Sequence, residues 1–417
     1  MAAEINSRVL WAKCGEVFTP GSPVSERDLF AGRQDQINRI LEAVSQRGFH
    51  AVLYGDRGVG KTSLANVLSA FIQDMGKTVL TARANCDSTD SFSSLWKKIF
   101  REITFIETQE SIGFTSTVQV NKKRLTDNLP DILSPDDVRQ ILSTISGSSQ
   151  VILVIDEFDR LTDKLVPQLV VDTIKSLSDA PVSATVILIG VSDSVDQLIE
   201  GHRSIERSLV QVPMPRMSVD ETEQIVTKGV ERLEMTITQY SKNEINLLSQ
   251  GLPYVTHMLS LYSARAAIDD NSIKIGIEHV QNGISKSIEQ WQESIKTSYY
   301  DATRSHQPDH LYKEVLLSCA LASVDEKSFF TAAAVRAPLQ IVARPNLDIP
   351  NFARHLKEFS EARRGNILVR EGETRRLRYR FVSPLMRPYI IMRGVADGLL
   401  TQAMRNAISS IGTQPNS

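Results

Sequence analysis

Ala51-Val52-Leu53-Tyr54-Gly55-Asp56-Arg57-Gly58-Val59-Gly60-Lys61-Thr62-Ser63 is the stretch from which the rest of the chain is read. The apolar run from Phe49 to Tyr54 fits a short buried strand. It breaks into G-x-x-x-x-G-K-T, and an apolar-periodic helix follows from Ser63 to Phe71. Strand, glycine-rich loop and helix in that order form the setting that a phosphate-binding P-loop requires. Gly55, Gly58 and Gly60 let the backbone curl so that successive N–H groups point inward at an anion. The helix N-terminus adds the positive end of its dipole. Lys61 is placed to reach the β- and γ-phosphates, and the Thr62 hydroxyl to ligate Mg²⁺. Residues 55 to 63, with Asp56, Arg57, Val59 and Ser63 among them, are therefore expected to bind ATP or ADP with Mg²⁺.

Outward from this loop, Val151-Ile-Leu-Val-Ile155 is a wholly apolar strand ending in Asp156-Glu157. A carboxylate at the tip of a buried strand beside the P-loop strand sits where Mg²⁺ does, which assigns Asp156 to the metal. Glu157 then polarises the attacking water as general base. Asp159 and Arg160 read as surface charges. Further strands are expected at Thr78–Ala82 and Ala184–Gly190, with helices between them. Alternation of apolar strands and helices implies a parallel sheet covered on both faces. Ser134-Pro-Asp-Asp137 is a helix start with Pro at the first helical position and acids in the first turn.

Residues 1–30 carry Pro and Gly and are expected to lack regular structure. Residues 108–132 are polar, break periodicity and contain Lys122-Lys123-Arg124, so they read as a long loop. Beyond Val212-Pro-Met-Pro-Arg-Met217 the pattern turns all-helical. It opens with the capping box Ser218-Val-Asp-Glu221 and includes Gly251-Leu-Pro253. Farther on, an apolar helix at 311–323 and an amphipathic one at 352–359 precede a hairpin with its turn at Glu371-Gly-Glu373, which is a winged-helix pattern. The last twenty or so residues are expected to fray.

With 417 residues, 41% hydrophobic and 23% charged, the chain has the composition of a soluble protein of two or three domains. The net charge of −2 neither favours nor excludes nucleic acid. Three scattered cysteines suggest buried thiols in a reducing compartment rather than disulfides or zinc. No stretch is long and apolar enough to span a membrane, and the first twenty residues lack a signal-peptide pattern, so a cytosolic location is expected. Trp11, Trp96 and Trp291 are read as packing residues.

These motifs occur in the order found in AAA+ ATPases: Phe30-Ala-Gly-Arg33, the P-loop, Asp156-Glu157, a strand ending near Ser192, an arginine-bearing segment, a helical lid and a winged helix. The chain resembles the branch that includes the origin-recognition and cell-division-control initiators, and Gly251-Leu-Pro253 resembles the GxP motif of STAND signalling ATPases. The implied fold is an α/β P-loop core (28–212), a helical lid and connector (213–300), a winged helix (301–394) and a tail (395–417). The resemblance implies that Gly32 and Arg33 lie near the adenine, the alternative being a plain helix cap, and that Pro253 contacts the nucleotide. It puts Ser192 in the sensor-1 position, with Asp193 as its alternative, and makes Arg207, or else Arg203, an arginine finger acting on a neighbouring subunit. Where initiators carry a sensor-2 arginine, this chain has Pro253 and Tyr254, which leans toward a switch with modest turnover.

Between Arg354 and Arg393 lie ten arginines and Lys357 against four glutamates. Such clustered charge fits contact with DNA phosphates. Arg363, Arg364 and the wing-tip pair Arg375 and Arg376 are the candidate contacts, the bland alternative for Arg378 and Arg380 being a solvated strand face. Two functions follow. One is a self-assembling ATPase acting on duplex DNA, and the other is a nucleotide switch that controls a protein effector.

Overall fold

In the computed structural model the described residues are 2–23, 30–73, 79–110, 118–147, 149–180, 182–191, 203–305, 310–325, 327–373 and 376–412. The chain divides into two compact units, one made of Pro23–Pro215 and the other of Met1–Ser22 with Arg216–Ser417.

The first unit is built on a five-stranded parallel sheet. Its strands are β1 (His50–Tyr54), β2 (Val79–Asn85), β5 (Gln150–Asp156), β6 (Ala184–Gly190) and β7 (Leu209–Pro213), in the order β2-β5-β6-β1-β7. Every residue of β6 is buried, as is all of β5 after Gln150. Strands of that kind are covered on both faces and carry no polar alternation. The expectation that the Asp156 strand lies beside the P-loop strand is corrected, because β6 intervenes, pairing with β1 on one side and with β5 on the other. On one face α4 (Phe92–Arg101) buries Phe92, Leu95, Trp96, Ile99 and Phe100 against the sheet. Ser91 closes the start of α4 in a reciprocal cap with Ser94. The expected start at Ser134 is present: its hydroxyl accepts the Asp137 N–H, and Pro135 takes the first helical position of α5 (Pro135–Ile145).

One more expectation in this unit is corrected, and one of its strands was not anticipated. Part of the polar stretch read as a loop is an antiparallel hairpin of β3 (Thr104–Glu110) and β4 (Val118–Arg124), seven residue pairs long. The strand β7, not anticipated, is an edge strand with only Leu209 and Val212 buried, so its sequence carries little apolar signal.

The second unit is mainly helical. Residues 1–30 were expected to lack regular structure, yet α1 (Ala2–Val17) is a helix. At its end the Phe18 ring lies against Gly229, where an added Cβ would stand 2.2 Å from a ring carbon. Trp11 is 41% exposed rather than core, with the Arg265 guanidinium 3.6 Å over its ring. Glu221 and Ser218 form the expected capping box at the start of the Val219–Arg232 helix. The helix Pro253–Asp269 packs on Ile277–Glu289. Trp291, buried, meets Tyr254 and Tyr389 at 6.1 and 5.5 Å, and Tyr389 meets Tyr299, so an aromatic chain links the residue after Pro253 to the C-terminal part of the unit. That part runs helix (Tyr312–Leu321), strand β8 (Phe330–Thr331), two helices (Ala332–Val342 and Ile349–Phe359), and strands β9 (Leu368–Glu371) and β10 (Arg378–Phe381). The three strands form one antiparallel sheet, β8-β10-β9. The tail is not simply frayed: Gln402–Gly412 is helical, and Arg405 pairs with the buried Glu244.

Each unit also buries a neutral histidine. Burial pushes His50 in β1 down to about 4, and His257 likewise to about 4. His50 Nδ1 accepts the Val186 N–H at 3.0 Å, and His257 Nδ1 accepts the Thr19 N–H at 3.3 Å. Burial thus keeps each imidazole neutral, and its Nδ1 is satisfied by a backbone N–H. The unfolded chain takes up a proton near pH 6.5 while the folded one resists until about pH 4. Stability is thus full above that window and falls as pH drops through it, by up to about 3 kcal/mol per histidine at pH 4. Urea unfolding midpoints followed from pH 7 to 4 are expected to decline, and His50→Asn, which keeps an acceptor but does not titrate, flattens the decline by about one proton.

Candidate functional site

The P-loop occupies the C-terminal end of β1 and runs into α3 (Lys61–Gln73). Gly55 has φ 152°, and a Cβ there would lie 2.3 Å from the Met214 carbonyl oxygen. No side chain fits so close an approach of two backbones. Gly60, at φ 95°, turns the chain into the helix. Val59 is fully buried and anchors the loop, while Arg57 at its outer side is exposed. Ser63 stands in the first turn of α3 behind Thr62.

Lys61 is folded into the cradle. It is only 8% exposed, and its ammonium donates to the carbonyls of Gly55 at 2.9 Å and Asp56 at 2.8 Å. Burial pushes its pKa down to about 8, opposed by the nearby negative charges of Asp159, Asp156 and Asp56. The ammonium's described hydrogen bonds go to two backbone carbonyls, so its positive charge sits inside the loop, where an anion would be drawn. That state fits a bound phosphate.

Thr62 Oγ1 donates to Asp156 Oδ2 at 2.8 Å, joining the first turn of α3 to the tip of β5 across the intervening strand. The other carboxylate oxygen, Oδ1, accepts the N–H of Glu157 at 2.8 Å. Asp156 is 3% exposed. A hydroxyl and a carboxylate held together at a phosphate cradle are hard oxygen donors of the kind that Mg²⁺ takes, and this pair fits the metal. Among the described residues a third group reaches Asp156. Arg83 of β2 places NH2 2.6 Å from the same Oδ2 and donates through NH1 to Asn66 of α3.

Glu157 leaves the strand in a left-handed conformation, φ 55° and ψ 38°, at the head of a short 3-10 turn, Phe158–Arg160. A non-glycine residue held there is strained by about 1–2 kcal/mol, and such strain gathers at functional sites. Its carboxylate forms an ion pair with Arg160 at 2.7 Å. Asp159 Oδ1 accepts the Val191 N–H at 2.6 Å, fixing the exit of β6. Both residues are exposed, as the surface reading expects, and each also touches the site's neighbourhood, Arg160 through Glu157 and Asp159 through the end of β6. Ser192 and Asp193 themselves lie outside the described residues.

Arg33 precedes the helix Gln34–Ser45 in a left-handed conformation, φ 65°, without a side-chain cap. It is 2% exposed, and NH2 donates to the carbonyls of Val59 at 2.9 Å and Pro215 at 2.7 Å. Its guanidinium thus braces the P-loop backbone, with Gly32, also at positive φ, making the turn before it. Arg207 is exposed near the end of the 3-10 helix Arg203–Ser208, just before the edge strand β7. Pro253 belongs to the other unit. There it starts its helix at the first position, after Gly251 at φ 71°, whose Cβ would stand 2.5 Å from the Met217 carbonyl oxygen.

The basic C-terminal region is more internally paired than its sequence suggests. Glu358, 2% exposed, accepts from Arg354 at 2.7 Å and from Tyr312 at 2.6 Å, and Arg363 lies 3.1 Å away. Arg364 stacks on Tyr312 at 3.8 Å and donates to the Arg304 carbonyl. Arg378 pairs with Asp325 and Glu371, and Arg387 is spent on the carbonyls of Ala320 and Ala322. Arg376 is exposed beside the hairpin turn, and Arg375 lies outside the described residues.

A parallel sheet with this strand order, a glycine-rich loop leading into a helix, and a hydroxyl–carboxylate pair across the intervening strand define a P-loop nucleotide-binding protein of the AAA+ type. The sequence profile of the family described as Novel STAND NTPase 1 (nSTAND1) matches residues 23–363, and the chain belongs to that family. The Walker-type ATPase PABY2304 of Pyrococcus abyssi is similar in fold, with a TM-score of 0.51 and 15% identity over 90% of this chain and 99% of that one. The ORC2 protein of Aeropyrum pernix, solved in ADPNP–ADP complexes, gives a TM-score of 0.50 and 13% identity over 96% of this chain and 98% of that one. No curated protein matches the sequence. Among the described residues no helix is long and apolar enough to cross a membrane.

Proposed function

We propose that this protein binds and hydrolyses ATP with Mg²⁺ and uses the nucleotide state to control its assembly with itself. The observation that carries this reading is the 2.8 Å contact between Thr62 and Asp156, which makes the P-loop and the tip of β5 one site, with Glu157 next to it. Lys61 and the P-loop N–H groups neutralise the phosphates, Thr62 and Asp156 hold the metal, and Glu157 takes a proton from water once it is freed from Arg160. Bound there, Mg²⁺ would supply charge neutralisation to the phosphates. Arg207, exposed beside the sheet edge, is proposed as the finger offered to a neighbouring copy. Arg207→Ala is expected to lower turnover by on the order of 10³-fold, and to remove the concentration dependence of the rate. A rate and sedimentation profile equal to wild type would remove the finger from Arg207.

The C-terminal order of helix, strand, two helices and hairpin supports a winged helix, proposed to meet duplex DNA through Arg376 and Arg375 at the turn and through Arg363 beside Glu358. A second reading is favoured by the internal pairing of Arg354, Arg363, Arg364 and Arg378, together with membership of a STAND family. In it the same domain docks a protein effector and touches no DNA. Duplex DNA retention measured from 50 to 300 mM salt separates the two. Binding that weakens steeply with salt and is lost on charge reversal of Arg376 supports the DNA reading. Absence of binding at the lowest salt supports the effector reading.

A further inference from the structure

Arg83 has no place in the scheme above, yet it makes the shortest described contact to the metal carboxylate. In β2 the residues alternate. Ala82 and Ala84 are buried in the core with α4, which puts Thr81, Arg83 and Asn85 on the opposite face of the strand. From there Arg83 bridges Asn66 of α3 and Asp156 of β5, its neighbour in the sheet. Asp156 Oδ2 therefore carries both the Thr62 hydroxyl at 2.8 Å and the guanidinium at 2.6 Å. The side chains are 28% and 4% exposed, so the pair is shielded from water on the carboxylate's side. Arg83 Nε is buried without an acceptor, so charge rather than full hydrogen bonding holds the arginine in position.

We propose that Arg83 is a built-in counterion that stands in for the divalent cation at Asp156 and makes nucleotide binding largely independent of Mg²⁺. The reasoning is electrostatic. A buried carboxylate without a cation is costly, and Arg83 removes that cost before any metal arrives. A dication that bonds the same oxygen must either displace the guanidinium or share the oxygen with it against like-charge repulsion. Either way, part of the metal's binding energy is consumed in breaking the Arg83–Asp156 pair, and the metal binds more weakly than the oxygen donors alone would give. Asn66 offers the guanidinium a second holding point, so Arg83 can release Asp156 without losing its place between α3 and β2. Arg83 thus acts as a positioning residue that sets the metal dependence of the switch.

This inference rests on the nucleotide-binding reading of the P-loop, and its test keeps the two apart. The dissociation constant of a fluorescent ATP analogue is measured for the full chain in excess Mg²⁺ and in EDTA, and Mn²⁺ binding to the nucleotide complex is followed by electron paramagnetic resonance. Wild type is expected to bind nucleotide within about threefold under both conditions. Arg83→Gln is expected to raise the EDTA-to-Mg²⁺ ratio at least tenfold and to tighten Mn²⁺ binding, while Arg83→Lys, which keeps the charge, restores the wild-type ratio. A purely structural arginine would change thermal stability and leave the ratio where it was, and that result would overturn the proposal. So would a wild-type ratio already as large as that of Arg83→Gln. Should Arg83→Gln fail to fold, the wild-type ratio and that of Arg83→Lys decide the matter. Failure of wild type to bind nucleotide under either condition would instead defeat the P-loop reading itself.

Discussion

Glu157→Gln is expected to hydrolyse ATP on the order of 10³-fold more slowly than wild type and to bind it no less tightly. The amide keeps the shape of the side chain but cannot accept a proton from water. What it gives up in the folded state is the ion pair with Arg160, in which both side chains are well exposed, at 39% and 52%. An exposed, solvent-screened pair of that kind adds little to stability, so the thermal midpoint should scarcely move. A large loss of turnover with intact binding and stability separates a catalytic carboxylate from a structural one. Because the variant holds ATP unhydrolysed, it is also the form in which ATP-driven assembly should accumulate, visible by sedimentation. Turnover within threefold of wild type would show that Glu157 is not the base, and would leave its left-handed backbone unexplained.

Lys61→Ala acts one step earlier. The ammonium lies buried between the carbonyls of Gly55 and Asp56, with its pKa lowered to about 8 by burial. A phosphate would meet a partly desolvated cation, where a charge-assisted hydrogen bond contributes about 1.5–3 kcal/mol. Removing it is expected to weaken ATP and ADP binding roughly a hundredfold. The two carbonyls lose their donor but stand at a loop that water can reach, so the fold should survive. Calorimetric titration of both nucleotides checks this, and affinity within fivefold of wild type would contradict it.

The parts of the structure that were readable from sequence share one property, namely that local pattern and tertiary demand agree. Strands β5 and β6 are buried on both faces and so appear as unbroken apolar runs. Ser134 and Ser218 announce their helices because the capping oxygen and its partner lie within one turn of sequence. The P-loop is legible because its glycines are imposed by close backbone approach, as Gly55 is by Met214. The elements missed are those for which environment overrides pattern. In α1, Cys14 and Val17 are buried while Val9 and Trp11 are exposed, so no strong apolar stripe marks it. The edge strand β7 needs apolar residues on one side only. Strand order is a long-range property, and nothing in Val151–Asp156 reveals that β6 separates it from β1.

The site was read in the same uneven way. Lys61, Thr62, Asp156 and Glu157 follow from motif chemistry, and the structure brings Lys61, Thr62 and Asp156 together. Arg83 was missed, although a signal was present in the period-two alternation of Val79–Asn85, which sets an arginine on the face opposite two buried alanines. What sequence could not supply was its partner, since Asp156 lies 73 residues away. In the C-terminal region the density of arginines suggested free positive charge. Glu358, one carboxylate buried among them, shows how few acids are needed to organise several arginines when the dielectric is low.

The central claim is that the P-loop and the end of β5 form a single metal-nucleotide site, and a double-mutant cycle on Thr62 and Asp156 tests it most directly. The Mn²⁺ affinity of the nucleotide complex is measured by electron paramagnetic resonance for wild type, Thr62→Ala, Asp156→Ala and the double variant. If the two residues act on one ion, each single change weakens binding roughly tenfold and the double change costs little more than either alone, a coupling of about 1.4 kcal/mol. Effects that simply multiply, giving roughly a hundredfold loss in the double variant, would mean that Thr62 and Asp156 work independently and that the shared site does not exist.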